Sequence, residues 1–174
     1  MRQHQGLTLT GLVFVALGVQ ALDILLVREL FPAASRILLP ISYLLVLGFA
    51  LKNLYRPVVI LIGLGAVLNF LAIVSNGGAM PVAAESLSGT DSGGVATPAA
   101  SGRLLRHSKD IVLHGDDIRL APLADRYKFS NAVPILFSVG DLFIVAGIVV
   151  GGMLAVGTQL LPRVRRFRLH GGAT

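Results

Sequence analysis

The chain has 174 residues, of which 54% are hydrophobic and only 14% are charged, and its mean hydropathy is +0.77. Soluble domains carry roughly 25% charged residues, so the composition excludes an ordinary soluble enzyme and a disordered polypeptide. The formal net charge of +6 does not argue for nucleic acid, because basic residues beside apolar segments usually report membrane orientation. Since the sequence has no cysteine, disulfides, a thiol nucleophile and thiolate metal sites are excluded.

Four apolar segments are candidates for transmembrane helices, because a bilayer core about 30 Å thick needs roughly 20 helical residues. Their approximate bounds are 3–27, 37–51, 57–75 and 134–161. Pro57 and Pro134 each suit a helix start, where no backbone N–H is needed. The sequence therefore predicts an all-α membrane protein, a four-helix transmembrane bundle with a long external loop between spans three and four.

The predicted domain organisation follows from these spans. Residues 1–75 hold spans one to three, 76–133 form the external loop, 134–161 form span four and 162–174 form a basic tail. Arg2, the loop carrying Lys52 and Arg56, and the arginine-rich tail fall on one side of a four-span protein. By the positive-inside rule, both termini are expected in the cytoplasm and the protein in the bacterial inner membrane. Alternatively, Val19-Gln20-Ala21 resembles a signal-peptidase site, and cleavage there would leave three spans.

The external loop has two compositional halves. Residues 82–102 are rich in Ser, Gly, Ala and Thr, which predicts a flexible linker that cannot bury enough surface to offset its ordering entropy. Further on, Ile111-Val112-Leu113 and Ile118-Arg119-Leu120 flank the turn-prone segment His114-Gly115-Asp116-Asp117. This pattern indicates either a β-hairpin or an amphipathic segment lying on the membrane surface.

Polar residues in the spans are the first candidates for a functional site. Asp23 and Asp141 are predicted near the external ends of spans one and four, and an intramembrane carboxylate costs several kcal/mol unless it is paired, protonated or hydrated. The predicted binding or structural polar cluster comprises Asp23, Asn69, Asn76, Arg126 and Ser138. The alternative is that these residues are packing devices. Asp23 would then pair with Arg28, and Asp141 would lie at a helix start, where the dipole favours negative charge.

Span four also carries small residues at Gly147, Gly151 and Ala155. This spacing lets helices approach closely, so it predicts a packing face within the bundle or between copies. His114 with the two aspartates that follow it matches no metal-site spacing and is interpreted as a solvated turn. No nucleotide, zinc-hydrolase or serine-hydrolase motif occurs, so neither a metal nor a cofactor is expected.

Two motifs carry a resemblance to a known family. The sequences NGGAMPV at 76–82 and FSVGD at 137–141 resemble a bacterial membrane-protein family catalogued as domain of unknown function 5317. The resemblance in layout extends roughly over residues 37–154. It implies several apolar spans, an external loop that begins at the first motif and ends at the second, and no known activity.

A second resemblance concerns two aspartates. The sequence LADR at 123–126, followed by FSVGD, is similar to the aspartate motifs of lipoprotein signal peptidase, a four-span aspartyl protease with cytoplasmic termini. This similarity implies that Asp125 and Asp141 are a catalytic pair, in which one protonated carboxyl polarises the carbonyl and the other activates water. The sequence departs from that pattern at Ser138 and Gly140, which replace Asn and Ala, and it lacks the Asn before the first aspartate.

Two functional hypotheses follow from these observations. The first is a non-enzymatic inner-membrane protein whose external loop and polar rim bind a partner or assemble a complex. The alternative is intramembrane aspartyl hydrolysis by Asp125 and Asp141. Expected partners are the lipid bilayer and a membrane protein or a second copy of the chain, but not nucleic acid. Transport ranks third, because the cytoplasmic halves of the spans are almost wholly apolar.

Overall fold

The computed structural model describes residues 7–87, 102, 104–105, 108–128 and 136–170. It is mostly helical, and within these residues four helices are long and apolar enough to cross a membrane, which confirms the predicted fold class. The first of them joins α1 (Thr10–Leu22), a π-helical turn (Asp23–Val27) and a short helix (Arg28–Leu30). The other three are α2 (Pro32–Lys52), α3 (Pro57–Ser75) and α4 (Val139–His170).

The helix starts differ from the predicted bounds at two places. Helix α2 begins with Pro32, directly after the non-helical Phe31, so it is longer than the apolar run at 37–51 from which it was predicted. Helix α4 begins at Val139 and not at Pro134. The predicted start of span four was wrong because Leu136–Phe137 (β4) instead pair with Tyr127–Lys128 (β3) as an antiparallel ladder; Pro134 itself lies outside the described residues.

The helices pack in chain order, α1 against α2, α2 against α3 and α3 against α4, and the last of these interfaces is the most extensive. Glycines explain the close approach of α3 and α4. A methyl group at Gly147 would lie 2.6 Å from the side chain of Ile62, and one at Gly151 would lie 3.0 Å from that of Val58. Both glycines therefore face α3, Gly147 buried and Gly151 half-buried, whereas Ala155 is exposed.

Between α3 and α4 the chain folds onto one end of the helices; we call described residues 76–87 and 108–128 the cap. Strand β1 (Met80–Ala83) pairs in parallel with β2 (Asp110–Leu113). On its other side, Val82 forms a bridge with Asp125. A short helix, Ala84–Leu87, follows β1.

The cap corrects three predictions about the external loop. The hairpin is wrong, because β2 pairs with β1 and the segment Gly115–Asp117 is a 3-10 turn. The surface-lying alternative is also wrong for Ile111 and Val112, which are buried inside the protein. The flexible linker was placed too early, since Val82 is a fully buried strand residue; residues 88–101 of that prediction lie outside the described residues. The composition of this segment did not predict a strand, because β1 is short and its partner β2 comes from a distant part of the chain.

The NGG motif forms the junction between α3 and the cap. Asn76 ends the helix, and its side-chain amide donates to the carbonyls of Ala72 and Arg119, at 2.7 and 2.8 Å, while its Oδ1 accepts the Arg119 N–H. Gly78 has a φ of +88°, and a Cβ there would overlap the backbone of Arg36. The motif thus fastens the end of α3 to the cap and to α2, a conformation that only glycine adopts without strain.

Candidate functional site: a buried charge cluster

Lys109, the residue before β2, joins the two aspartates singled out in the sequence. Its Nζ lies 3.2 Å from Oδ2 of Asp141 and 3.3 Å from Oδ2 of Asp125. Because both oxygens contact the same nitrogen, they are no farther apart than the sum of these two distances. Asp125 is on the cap and Asp141 is on α4, so Lys109 and these two acids tie the cap to the last span.

Asp141 is held by the start of its own helix. The N–H of Ser138 donates to Oδ2 of Asp141 at 3.1 Å, and the N–H of Asp141 donates to Oγ of Ser138 at 3.0 Å. This reciprocal pair is a capping box, which satisfies two amides that the helix cannot bond itself. The dipole at the helix N-terminus favours the negative charge as well, so the position of Asp141 has a structural cause.

Asn69 of α3 extends this network into the middle of the bundle. Its Nδ2 donates to Oδ1 of Asp141 at 2.7 Å and lies 3.4 Å from the hydroxyl of Tyr43 on α2. Its Oδ1 accepts the hydroxyl hydrogen of Ser138 at 2.8 Å. A side chain at Gly140 would overlap Asn69. The serine, the glycine and the aspartate of FSVGD therefore each contact Asn69, which explains why these three residue types occur where α4 packs against α3.

Asp125 differs from Asp141 in having few partners. It is 1% exposed, and neither of its carboxylate oxygens has a hydrogen-bond partner, although one contacts the Lys109 ammonium. Burial raises the pKa of Asp125 to about 8; Lys109 acts against this, and Asp110 and Asp141 add to it. Near neutral pH this carboxyl therefore holds a proton in a large share of molecules.

Lys109 remains charged in the same surroundings. Burial alone would lower the pKa of its ammonium, but the Tyr43 oxygen and then the three neighbouring aspartates outweigh that effect and hold the pKa above its ordinary value. A charged Lys109 faces acids on the cap and on α4. The site is thus an ion cluster with one permanent cation at its centre.

A second buried group lies in the first span. The π-helical turn places the fully buried Asp23 beside Arg28, with Nη2 and Oδ2 3.5 Å apart, and the hydroxyl of Ser35 donates to the same oxygen at 3.0 Å. Nη1 of Arg28 donates to the backbone carbonyl of Asp110 at 3.2 Å. The two groups are separate, and the neighbouring cap residues Lys109 and Asp110 connect them.

The structure distributes the predicted polar cluster over three places. Asn69 and Ser138 surround Asp141; Asp23 belongs to the Arg28 group; Asn76 forms the junction between α3 and the cap. Arg126 is exposed, outside these groups. Asp23 and Asp141 belong to different groups, which the neighbouring residues Asp110 and Lys109 connect.

The residues that sequence analysis missed are Lys109, Asp110 and Tyr43. They occupy an ordinary basic stretch and an apolar span, and no spacing marks them. The available signal was a Lys-Asp pair directly before a buried apolar triplet, since a charged pair at the start of a buried strand needs partners. In the described part of the chain no group of three or more His, Cys, Asp or Glu residues is arranged to hold a metal ion.

Comparison with known proteins adds a family. No curated protein and no solved structure matches the chain. A protein-family model described as a family of unknown function, DUF5317, matches residues 6–151. That range includes α1, α2, α3, the cap and the first turns of α4, and thus both groups of buried charges. Because the match covers most of the sequence, the chain belongs to the DUF5317 family.

Proposed function

We propose that this protein is a non-catalytic, multi-pass subunit of the bacterial inner membrane that assembles with another membrane protein through its cap. The observation that carries the non-catalytic part is the position of Lys109. An aspartyl hydrolase needs a water molecule shared between its two carboxyls, and here an ammonium lies between Asp125 and Asp141. The acids then serve to fasten the cap onto the helices.

The exposed side of the cap supports an assembly role. Leu120 is 46% exposed and has a left-handed backbone with a φ of +55°, which costs roughly 1–2 kcal/mol for a residue other than glycine. Tyr127 is 43% exposed, and Arg119 and Arg126 are exposed as well. Strained residues collect at functional positions, and cations around two apolar side chains favour a partner with an acidic segment at that surface.

Photo-crosslinking in native membranes tests this surface. A photo-crosslinking amino acid at position 120 should give one discrete adduct of defined mass, and Arg126→Glu should reduce its yield because the charge complementarity is reversed. The matched control is position 14 on α1, where Phe14 is 74% exposed on an apolar face and only lipid adducts are expected. If position 120 gives no protein adduct and the chain runs as a lone monomer in mild detergent, the proposal is wrong.

Aspartyl hydrolysis is the second candidate, and the meeting of Asp125 and Asp141 at one atom favours it. Catalysis would require Lys109 to withdraw when substrate binds, with Asp125 protonated and Asp141 ionised. Comparison of membrane-protein N-termini in cells carrying wild type, Asp125→Asn and Lys109→Met tests it. A peptidase would leave uncleaved precursors with Asp125→Asn but not with Lys109→Met, because only the acid takes part in the chemistry, whereas a structural cluster would leave the set of termini unchanged in both variants.

We further propose that both termini lie in the cytoplasm and the cap lies outside, because Lys52 and Arg56 and the arginines of the C-terminal tail would then face the cytoplasm. The native chain has no cysteine, so single cysteines report topology directly. Asp116→Cys in the exposed 3-10 turn should react with an impermeant maleimide in intact spheroplasts, and Tyr55→Cys only after permeabilisation. The reverse labelling would overturn this orientation.

A further inference from the structure

Two neighbouring acids in the cap have buried acceptor atoms without donors. Asp110 is 8% exposed and its Oδ1 has no hydrogen-bond partner; both oxygens of Asp125 also lack one. The side chains of Asp110 and Asp125 are within hydrogen-bonding reach of each other. Ionised carboxylates only accept hydrogen bonds, so two of them placed side by side and away from water would leave each other unsatisfied.

One proton removes this conflict. We propose that Asp110 and Asp125 form a proton-binding site, in which Oδ1 of Asp125 carries the proton and donates it as an O–H···O hydrogen bond to Oδ1 of Asp110. The assignment of the oxygens follows from their surroundings, because Oδ2 of Asp125 faces the Lys109 ammonium and Oδ2 of Asp110 accepts the Ser108 hydroxyl at 2.6 Å. The remaining oxygens, Oδ1 of each acid, have no hydrogen-bond donor.

The charges around the site agree with a single proton. Lys109, directly before β2, is matched by Asp141 at the start of α4, and Arg28 of the first span is matched by Asp23. Tyr43 of α2 is the remaining titratable group that acts on Lys109, and a phenol with an ordinary pKa of about 10 carries no charge near pH 7. With the proton bound, Asp110 is the one unmatched charge among these groups; without it, two adjacent buried acids are negative together.

The proton also joins two sides of the cap. Asp110 begins β2 on one side of β1, and Asp125 bonds the other side, where its N–H donates to the carbonyl of Pro81 at 3.0 Å. A bond between the two side chains therefore braces β1 from both sides. Removal of the proton replaces this bond by repulsion, so proton occupancy controls how firmly the cap is closed.

Infrared titration of the full-length protein in lipid nanodiscs tests the site. A protonated buried carboxyl gives a C=O stretching band separate from that of carboxylates, and this band should disappear with a midpoint near the Asp125 pKa of about 8. Asp125→Asn should abolish it. Asp110→Asn should keep it but move its midpoint to a different pH, because the hydrogen-bond acceptor and its charge are lost. Asp116→Asn, in an exposed turn, is the control and should change neither band nor midpoint.

Two results would overturn the proposal. One is a wild-type spectrum without a protonated-carboxyl band at neutral pH, which needs no variant and so does not depend on the folding of Asp125→Asn. The other is a band whose midpoint is the same in wild type and Asp110→Asn, since a proton held elsewhere would not respond to that substitution. Loss of closure is measured separately, as lower protection of the Met80, Val82 and Ala83 amides above the midpoint, with each exchange rate compared with its intrinsic rate at the same pH; unchanged protection would reject the bracing role.

Discussion

At the scale of single residues, the cluster shows how the same carboxyl group acquires different roles from its contacts. Asp141 accepts hydrogen bonds from a helix amide and from Asn69, and it faces an ammonium. Asp125 has only the ammonium and a neighbouring acid. Environments that favour ionisation in one carboxyl and protonation in its neighbour are also what acid–base chemistry uses. The cluster is therefore an informative place for substitutions.

Lys109→Met should lower the free energy of unfolding by about 1–3 kcal/mol, because it leaves two acids without their cation in a half-buried site. Combined with Asp141→Asn, the loss should be smaller than the sum of the two single losses, since one interaction is then removed twice. Unfolding in mixed micelles, measured for the four members of the cycle, gives the coupling energy. Arg119→Met, at an exposed cation, is the control and should be near neutral; strict additivity would contradict the ion cluster.

Asp125 should make stability depend on pH. Its folded-state pKa of about 8 lies above the ordinary value of 3.8. Its protonation therefore adds to the free energy of unfolding in full below pH 3.8, and this stabilisation is lost as the pH rises through about 8. Each unit of difference corresponds to about 1.4 kcal/mol. Thermal midpoints of wild type should fall from about pH 6 to about pH 9, and those of Asp125→Asn should change less over that range. Parallel curves for the two proteins would refute the assignment.

At the scale of elements, the glycines of α4 test the α3–α4 interface. Gly147→Ala should destabilise by about 1–3 kcal/mol, because the added methyl would overlap Ile62 and neither backbone can move without opening the interface. Gly152→Ala is the matched control on the same helix, since nothing lies within 4 Å of a Cβ there. It should be neutral or stabilising by up to about 1 kcal/mol, as expected for alanine in a helix. Equal effects of the two substitutions would show that α3 does not pack at Gly147.

The elements differ in how well the sequence predicted them. Long apolar runs determine their own structure, because a helix satisfies its backbone within the segment, and all four helices were found in this way. Strand β2 could not be predicted correctly, since its partner β1 lies beyond the polar stretch that includes residues 88–101, and nothing local specifies the pairing. The start of α4 was predicted at Pro134 and not at Val139, because proline favours the first position of a helix. The capping role of Ser138 is evident only from its hydrogen bonds with Asn69 and Asp141 in the structure.

At the scale of the whole molecule, the helices, as far as the structure describes them, form a row rather than a ring of mutually packed neighbours. The extensive contacts join successive helices, and α1 and α4 lie at the two ends of the row. The sequence predicts four spans but not their order in space, because lipid-facing and protein-facing side chains are equally apolar here. Two adjacent cap residues reach both ends: Asp110 accepts a hydrogen bond from Arg28, and Lys109 contacts Asp141. The cap is thus the link that closes the row.

This arrangement predicts that α1 depends on the cap for its position. Arg28→Met removes the hydrogen bond to Asp110 and leaves Asp23 without its cation. The end of the first span that contacts the cap should therefore move away from α4. Spin labels at Leu26 and Leu142, both exposed, should give a broader and longer distance distribution in this variant than in wild type. Labels at Leu17 and Met153, nearer the opposite end, should change less, because α1 keeps its contacts with α2 there.

Asp117→Asn, in an exposed turn of the cap, is the control. If both label pairs respond equally, α1 is displaced as a whole and the cap does not clamp it; if neither responds, packing against α2 alone positions the first span.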